Sequence, residues 1–231
     1  MPTPETKTGG PRRITGRYAA AQVDAPGTAQ EAVAVDARQK RSQVALHRAI
    51  IELATSRDIA SLTVSEITHL AGVNRSTFYA HATSTAELLC AALRGQLDAI
   101  RDGFLQRLHQ GAATDISIRE ATAQVLGHLE NHRELYLRAF DAPAGDSGLR
   151  AMLALHFRAA VIATLEAGVL EVPEGKAPRG FLIEGTASFL AAGSTGLMEA
   201  WLRLPAPRST ESYLAAYRRL LPPWWPFATA A

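Results

Sequence analysis

The stretch LTVSEITHLAGVNRSTFYAHATSTAELL, residues 62–89, carries several helix-start signals in close succession. Thr63 is followed three residues later by Glu66, and Ser84 is followed in the same way by Glu87. In this spacing each side chain satisfies a backbone amide that the first turn of a helix leaves without a partner. The pattern predicts one short helix from about residue 63 to 70 and a much longer helix that begins after Ser84.

A further helix lies between these two starts. Gly72 can adopt the left-handed backbone conformation that closes a helix and turns the chain. Asn74 is a favourable cap for the next segment, which predicts a second short helix from Arg75 to about Ala82. Helices this short must bury their apolar side chains against a neighbouring element.

The preceding segment supplies that neighbour. Apolar side chains recur at helical spacing along one face before residue 55, and a second apolar set lies in the short helices. The first set is Leu46, Ala49, Ile50, Leu53 and Ala54, and the second is Val64, Ile67, Leu70, Ala71, Val73 and Phe78. The two sets predict a helix-turn-helix packed on an amphipathic helix.

A helix-turn-helix offers the first residues of its second helix to base edges in the DNA major groove. Arg75 could donate two hydrogen bonds to a guanine, and polar side chains around it could reach bases or phosphates. The DNA-binding candidates are Thr63, Ser65, Arg75, Ser76, Thr77, Tyr79, His81 and Thr85. On spacing alone, an ordinary helical turn with a solvated polar face explains the pattern equally well.

Charge is local rather than global. The 231 residues carry 24 Lys and Arg against 22 Asp and Glu, a formal net charge of only +2. Between residues 38 and 57, however, five basic residues face one acidic residue, which gives a candidate basic surface. The single cysteine, Cys90, excludes an intramolecular disulfide framework and fits a reducing compartment. With no apolar secretory segment at the N-terminus, we expect a cytoplasmic protein without a membrane partner.

Residues 1–37 are rich in Pro, Gly, Thr and Ala and show no helical or strand period, so we predict a disordered tail. Its first part is basic and could enter a DNA minor groove, although a solvated tail or a misassigned start is the more common explanation. The predicted organisation is therefore a tail at 1–37, a helix-turn-helix domain at 38–90 and a second domain at 91–231.

Residues 40–90 resemble the DNA-binding segment of tetracycline-repressor-type (TetR) transcription regulators. The resemblance is carried by T-V-x-E-I at 63–67, A-G-V at 71–73, S-T-F-Y-x-H at 76–81 and E-L-L at 87–89. It implies that Tyr79 and His81 lie on the DNA backbone and that Thr77 lies near bases or phosphates. Three positions depart from the family pattern: Thr85 replaces a lysine, Ala82 replaces a bulky apolar residue, and Asp58 replaces a glycine.

Beyond residue 90 the sequence predicts further helices, broken near 111–115, 141–148, 171–180 and 205–208, so the fold class is all-α. The resemblance implies that this part holds a small-molecule pocket and a dimer interface. Pocket candidates are His128, His132, Tyr136, Phe140, His156, Phe157 and Trp201. Dimer candidates, on the stretch 189–204 and the helix 209–221, are Gly193, Gly196, Leu197, Tyr213 and Tyr217. Tight packing within one subunit is the other explanation of the small residues there.

The function expected from this combination is a homodimeric, sequence-specific regulator, a repressor that a small effector releases from a near-palindromic DNA operator. A helical interaction protein whose helix-turn-helix domain no longer binds DNA is one alternative. An all-α enzyme is another, but no nucleophile elbow, glycine-rich phosphate loop or metal-ligand set is present in the sequence. We therefore expect no catalytic residues, no metal and no cofactor.

Overall fold

The computed structural model describes residues 29–142, 148–172, 176–222 and Trp225, and within these ranges all regular structure is helical. The helices are α1 (Ala29–Ser56), α2 (Val64–Ala71), α3 (Arg75–His81), α4 (Thr85–His109), α5 (Thr114–Asn131), α6 (Arg133–Asp141), α7 (Gly148–Glu166), α8 (Arg179–Leu202) and α9 (Thr210–Leu220), with a 3₁₀ turn at Ile59–Ser61. The all-α prediction is confirmed.

The chain divides into two compact units, Met1–Arg38 and Gln39–Ala231. In the first unit, α1 already begins at Ala29, whereas a disordered tail was predicted as far as residue 37. Residues 29–37 have the sequence AQEAVAVDA, and alanine has the highest helix propensity of any residue. Because Val33 and Val35 are exposed, this part of the helix reflects propensity rather than burial. The rest of the predicted tail, residues 1–28, lies outside the described residues.

The second unit begins with the helix-turn-helix, whose boundaries follow the local signals in the sequence. Thr63 and Glu66 form a reciprocal capping box at the start of α2. Gly72 ends α2 in the left-handed conformation, with φ +66°, and Asn74 then caps α3 by accepting a hydrogen bond from the Thr77 amide at 2.8 Å. The predicted apolar stripe of α1 is buried except for Leu53, which is half-buried, and Phe78 of α3, which is 0% exposed, packs into the same cluster.

Two further details concern residues singled out in the sequence. Asp58, which replaces the glycine of the family pattern, has an extended backbone with φ −65°, and its carboxylate caps the 3₁₀ turn by accepting from the Ala60 amide at 2.9 Å. At the start of α4, Ser84 accepts from the Glu87 amide at 3.1 Å as expected. The Glu87 carboxylate, however, accepts from the Thr83 amide at 2.8 Å instead of from Ser84.

One apolar cluster continues from the helix-turn-helix into the following helices. It runs from Leu46 of α1 through Leu93 and Leu97 of α4 to Tyr136 of α6 and Leu202 of α8. Residue 90, where a domain boundary was predicted, falls inside the unbroken helix α4. By length and apolar composition α7 would pass as a membrane-spanning helix, but it packs against α4, α6 and α8, and the core helix of a soluble protein meets the same criteria.

Candidate nucleic-acid interface and internal cavity

The N-terminal turn of α3 presents its polar side chains to solvent. Arg75 is exposed and, within the described part of the chain, makes no ion pair or side-chain hydrogen bond. The hydroxyls of Ser76 and Thr77 donate to Asn74 Oδ1 at 2.7 and 2.8 Å. Phe78, one turn further along α3, is buried in the core and anchors the helix, so Arg75 stands on a rigid support with its guanidinium free to bind.

Tyr79 and Thr85 extend this polar surface. The Tyr79 side chain is 55% exposed, and its ring meets the buried Phe78 edge to face with the centroids 5.4 Å apart. This contact orients the ring while the phenol remains accessible. Thr85 is half-buried at the first residue of α4, next to amides that the helix start leaves without intrahelical partners.

His81 lies between α3 and α1 rather than fully in solvent. Its Nε2 is 3.0 Å from Ser42 Oγ, and the Ser42 hydroxyl donates to the Gln39 carbonyl at 2.8 Å. Through this contact His81 positions α3 against the basic segment of α1.

The start of α2 uses its polar groups internally. The Thr63 hydroxyl donates to Glu66 Oε2 at 2.7 Å, and Arg57 donates to Glu66 Oε1 at the same distance. The Arg57 hydrogen bond, followed by those from Thr63, lowers the pKa of Glu66 to about 2. Thr63 and Arg57 are thus committed to the fold, whereas Ser65 is exposed on the next turn. Of the two residues predicted to bind DNA here, Thr63 is therefore engaged in the helix cap.

A cavity of about 150 Å³ lies among α4, α5, α7, α8 and α9. Its wall is mostly apolar and aromatic, and includes Leu97, Phe104, Val125, Phe157, Met198 and Tyr213. At one end Arg101 and His156 reach the wall, and both contact Asp98: Arg101 Nη1 and His156 Nδ1 lie 2.9 and 3.0 Å from its Oδ1. Burial lowers the pKa of His156, although Asp98 acts in the opposite direction.

Only part of the predicted pocket lines this cavity. His156 and Phe157 do so. Five other candidates are absent from the cavity wall: His128, His132, Tyr136, Phe140 and Trp201. Tyr136, Phe140 and Trp201 belong to the main apolar cluster, and His128 and His132 contact Tyr136 and Gln96. These five residues therefore do not line this cavity.

His128 and Tyr136 instead form a buried polar pair. His128 Nε2 lies 2.7 Å from the Tyr136 hydroxyl, while His132 Nε2 lies 3.1 Å from Gln96 Oε1. Burial, followed by the neighbouring His132 and His156, lowers the pKa of His128 to about 3, and burial raises that of Tyr136. A neutral histidine paired with a phenol satisfies both buried groups, which is a structural role.

Residues 46–92 match the family model described as bacterial regulatory proteins, tetR family. The matched segment contains the capping box, the Gly72 turn and the α3 face described above. Over this segment the chain is similar to tetR-family regulators. Over 65 residues it is 37% identical to YxbF, an uncharacterized HTH-type transcriptional regulator of Bacillus subtilis strain 168. That match covers 28% of this chain and 17% of the length of YxbF, so the likeness is confined to one region.

Solved structures of TetR-family regulators share the fold over a longer stretch. FadR of Thermus thermophilus, described as a transcriptional repressor in complex with lauroyl-CoA, is 21% identical, with a TM-score of 0.55 over 77% of this chain and 92% of FadR. A TetR regulator from Rhodococcus sp. RHA1 is 20% identical, with a TM-score of 0.53 over 79% and 94% of the two chains. The family fold therefore extends through the helices that follow the helix-turn-helix.

The two helices expected at a TetR-family dimer axis expose only some of the predicted residues. Gly193 and Gly196 lie on the exposed face of α8, and Leu197 is half-buried against the core. Tyr213 is 2% exposed and lines the internal cavity together with Tyr217. Both residues were predicted to contact a second chain, but the fold turns them towards the cavity. Their aromatic character suits a surface and an interior equally, and the sequence did not distinguish these.

The exposed face of α8 also carries a residue that the sequence analysis missed. Phe189 is 70% exposed, and it lies four residues from Gly185 and four from Gly193. Helix positions at this spacing share one face. The signal was present in the sequence as a phenylalanine between small residues, but which face of α8 remained outside could not be read from it.

Proposed function

We propose that this protein is a cytoplasmic, sequence-specific DNA-binding transcription regulator, and that it acts as a repressor released by a small effector. The observation that carries the proposal is the exposed Arg75 at the start of α3, held in place by the buried Phe78. An arginine in this position can make the bidentate contact with guanine that reads sequence in the major groove. The exposed Tyr79 and the basic residues of α1 supply contacts to phosphates, which position the protein on the duplex without reading the base sequence.

Helix α4 links the proposed DNA-binding surface to the cavity. Thr85 begins α4 four residues after the end of α3, and Leu97 and Ile100 of α4 line the cavity. A second link is Arg138 of α6, which donates to the Ala54 carbonyl in the last turn of α1 at 2.5 Å. A ligand that shifts α4 therefore changes the position of α3. By linkage, that ligand and the DNA must alter each other's affinity by the same factor.

The proposed assembly is a homodimer paired through the exposed face of α8. Phe189 supplies a large apolar side chain, and Gly193 and Gly196 allow a second helix to approach closely. A two-fold dimer presents two reading helices and requires a near-palindromic operator, whose half-sites lie roughly 34 Å apart or at a multiple of that distance.

The deciding experiment is selection of bound fragments from a random duplex library by the full-length protein at two salt concentrations. We expect an enriched near-palindrome, with affinity that falls steeply as salt increases because phosphate contacts release counterions. The control is the double variant Arg75→Ala/Tyr79→Phe, which alters only exposed side chains and should fold normally but lose the enrichment. Salt-sensitive binding without enrichment, or no binding, would exclude a sequence-specific regulator and favour the helical interaction protein.

A further inference from the structure

We propose that the cavity among α4, α5, α7, α8 and α9 takes a small, uncharged aromatic molecule with a single hydrogen-bonding group, of the size of phenol or indole. This inference rests on the proposed function only in treating the cavity as the effector site. It adds the chemical class of the ligand, which follows from the size of the cavity, the composition of its wall and the placement of its charges.

The volume limits the ligand to a few atoms beyond one ring. The cavity measures about 150 Å³. Sites for drug-sized ligands usually measure roughly 300–1,000 Å³, whereas a dry cavity of about 150 Å³ lined by Leu, Ile and Phe binds benzene. A long acyl chain or a fused polycyclic molecule would require the surrounding helices to separate.

The wall favours a flat, apolar ring. Phe104, Phe157, Tyr213 and Tyr217 all contribute to it. Tyr213 and Tyr217 stack with their ring centroids 5.8 Å apart and their planes 24° apart, which leaves a broad aromatic surface on one side. Aromatic rings interact favourably with further rings in offset or edge-to-face arrangements, so an aromatic ligand gains more here than an aliphatic one of equal area.

The charges exclude an anion. Among the described residues that line the cavity, Arg101 is the one with a formal charge at neutral pH, since burial lowers the pKa of His156. Arg101 already has two carboxylate partners, Asp98 and Asp102, each at 2.9 Å. A carboxylate ligand would therefore bring a third negative charge to this end of the cavity and find no cation without a partner. Burying a charge in that way is strongly unfavourable.

One polar position on the wall remains weakly satisfied. Ser194 Oγ donates to the Tyr217 hydroxyl at 3.4 Å, which is long for a bond between two hydroxyls. Thr164, by contrast, donates to the Ala160 carbonyl at 2.7 Å and is fully engaged. A ligand hydroxyl or ring N–H that reaches Ser194 and Tyr217 would replace the long bond with shorter ones. This position is the source of the single hydrogen-bonding group in the proposed ligand class.

The test measures binding to the full-length protein without DNA, by calorimetric titration and by the shift in melting temperature, with toluene, phenol, indole and benzoate as probes. We expect phenol and indole to bind and to raise the melting temperature, as any ligand selective for the native state does. Benzoate, which has as many non-hydrogen atoms as indole but carries a charge, should leave it unchanged. Benzoate binding as tightly as phenol would overturn the proposal, and so would the absence of binding by all three uncharged probes.

Three variants test the site. Ala160→Leu fills part of the cavity and should abolish phenol binding, while Ala159→Leu, on the exposed side of the same helix, should leave it intact. Should the cavity-filling variant not fold, Tyr217→Phe decides: it should weaken phenol about two- to tenfold and leave toluene unchanged, because one neutral hydrogen bond is lost. Equal effects on phenol and toluene would contradict the assigned polar position.

The outcome is separable from the proposed function. If phenol or indole binds but leaves DNA affinity unchanged, the ligand class stands and release by this site is wrong. If the protein selects a DNA sequence but no uncharged probe binds, the DNA-binding function stands and the ligand class is wrong.

Discussion

Arg57, just before the helix-turn-helix, and Arg75, at the start of its second helix, have different roles although both are arginines. Arg57 donates to Glu66 Oε1 at 2.7 Å and to the Ser61 carbonyl at 3.1 Å, so its guanidinium holds the 3₁₀ turn against α2. Arg75 makes no such bond within the described residues and stands exposed on α3. The difference lies in the neighbours that the fold supplies, and it makes Arg75 the residue whose loss should change recognition.

We expect Arg75→Ala to relax the preference for one base pair in each half-site by roughly 1 to 3 kcal/mol, since a bidentate contact to guanine is lost. Binding of selected and variant duplexes measures this. Arg119→Ala, which removes an exposed arginine from α5, is the matched control and should change nothing. Equal loss of affinity at every position of the operator would mean that Arg75 contacts phosphate instead.

The Glu66 network predicts a pH dependence of stability. Hydrogen bonds from Arg57 and Thr63 lower the pKa of Glu66 from 4.5 to about 2. A carboxyl group with a lowered pKa in the folded state stabilises the protein above pH 4.5 and loses this contribution as the pH falls towards 2. Melting temperatures between pH 7 and pH 2 should therefore fall less in Glu66→Gln than in the wild type. In the control Glu52→Gln, on exposed α1 surface, they should follow the wild type.

At the scale of elements, α6 carries two arginines that each reach the end of another helix. Arg138 donates to the Ala54 carbonyl of α1, and Arg133 donates to the Leu202 carbonyl of α8 at 3.0 Å. Both carbonyls belong to last turns, where helical partners are missing and a positive charge is favourable. Helix α6 thus connects α1, which supports the helix-turn-helix, to α8, which lines the cavity, through two hydrogen bonds from arginine to a backbone carbonyl.

Replacing each arginine by methionine in turn tests the effects of the two hydrogen bonds separately. Arg138→Met should speed amide hydrogen exchange in α1 and α2, because about 0.5 to 1.5 kcal/mol of stabilisation is removed there. Arg133→Met should have its effect at the end of α8 instead. The comparison uses the same substitution on the same helix, so a uniform change along the chain in both variants would show that neither bond acts locally.

The elements differ in how far the sequence predicted them. The starts of α2, α3 and α4 were predictable because caps depend on residues only two to four positions apart, and Thr63, Asn74 and Ser84 all cap as expected. The residues that line the cavity could not be predicted from the sequence, because they depend on which faces of five helices meet. Tyr213 was assigned to a surface on this account, whereas the packing of α9 turns it inwards.

At the scale of the whole molecule, the proposed dimer accounts for an apolar face that a single chain leaves in water. Phe189 is 70% exposed on α8, beside Gly193 and Gly196. Exposed apolar side chains are common singly, but a bulky one between small residues provides both an anchor and room for a second helix. The face lies on the opposite side of α8 from Ser194 and Met198, which line the cavity.

We expect Phe189→Glu to yield monomers in sedimentation while the helical content is retained, since the substitution places a charge where an apolar contact is proposed. Leu155→Glu, which introduces the same charge at a 64% exposed position on α7, is the matched control and should remain dimeric. A dimer that persists in Phe189→Glu would place the pairing surface elsewhere.

The cap of α3 has a consequence for which bases the protein can prefer. Asn74 Oδ1 receives the hydroxyl protons of both Ser76 and Thr77. With those protons engaged, the two oxygens face DNA with lone pairs alone, which phosphate oxygens and the guanine O6/N7 edge cannot use. Their partners in the major groove are the amino groups of cytosine and adenine. An operator half-site should therefore contain a guanine opposite Arg75 and, at a neighbouring position opposite Ser76 and Thr77, a cytosine or adenine that offers an amino group. The substitution Asn74→Asp keeps the acceptor and should preserve that base preference.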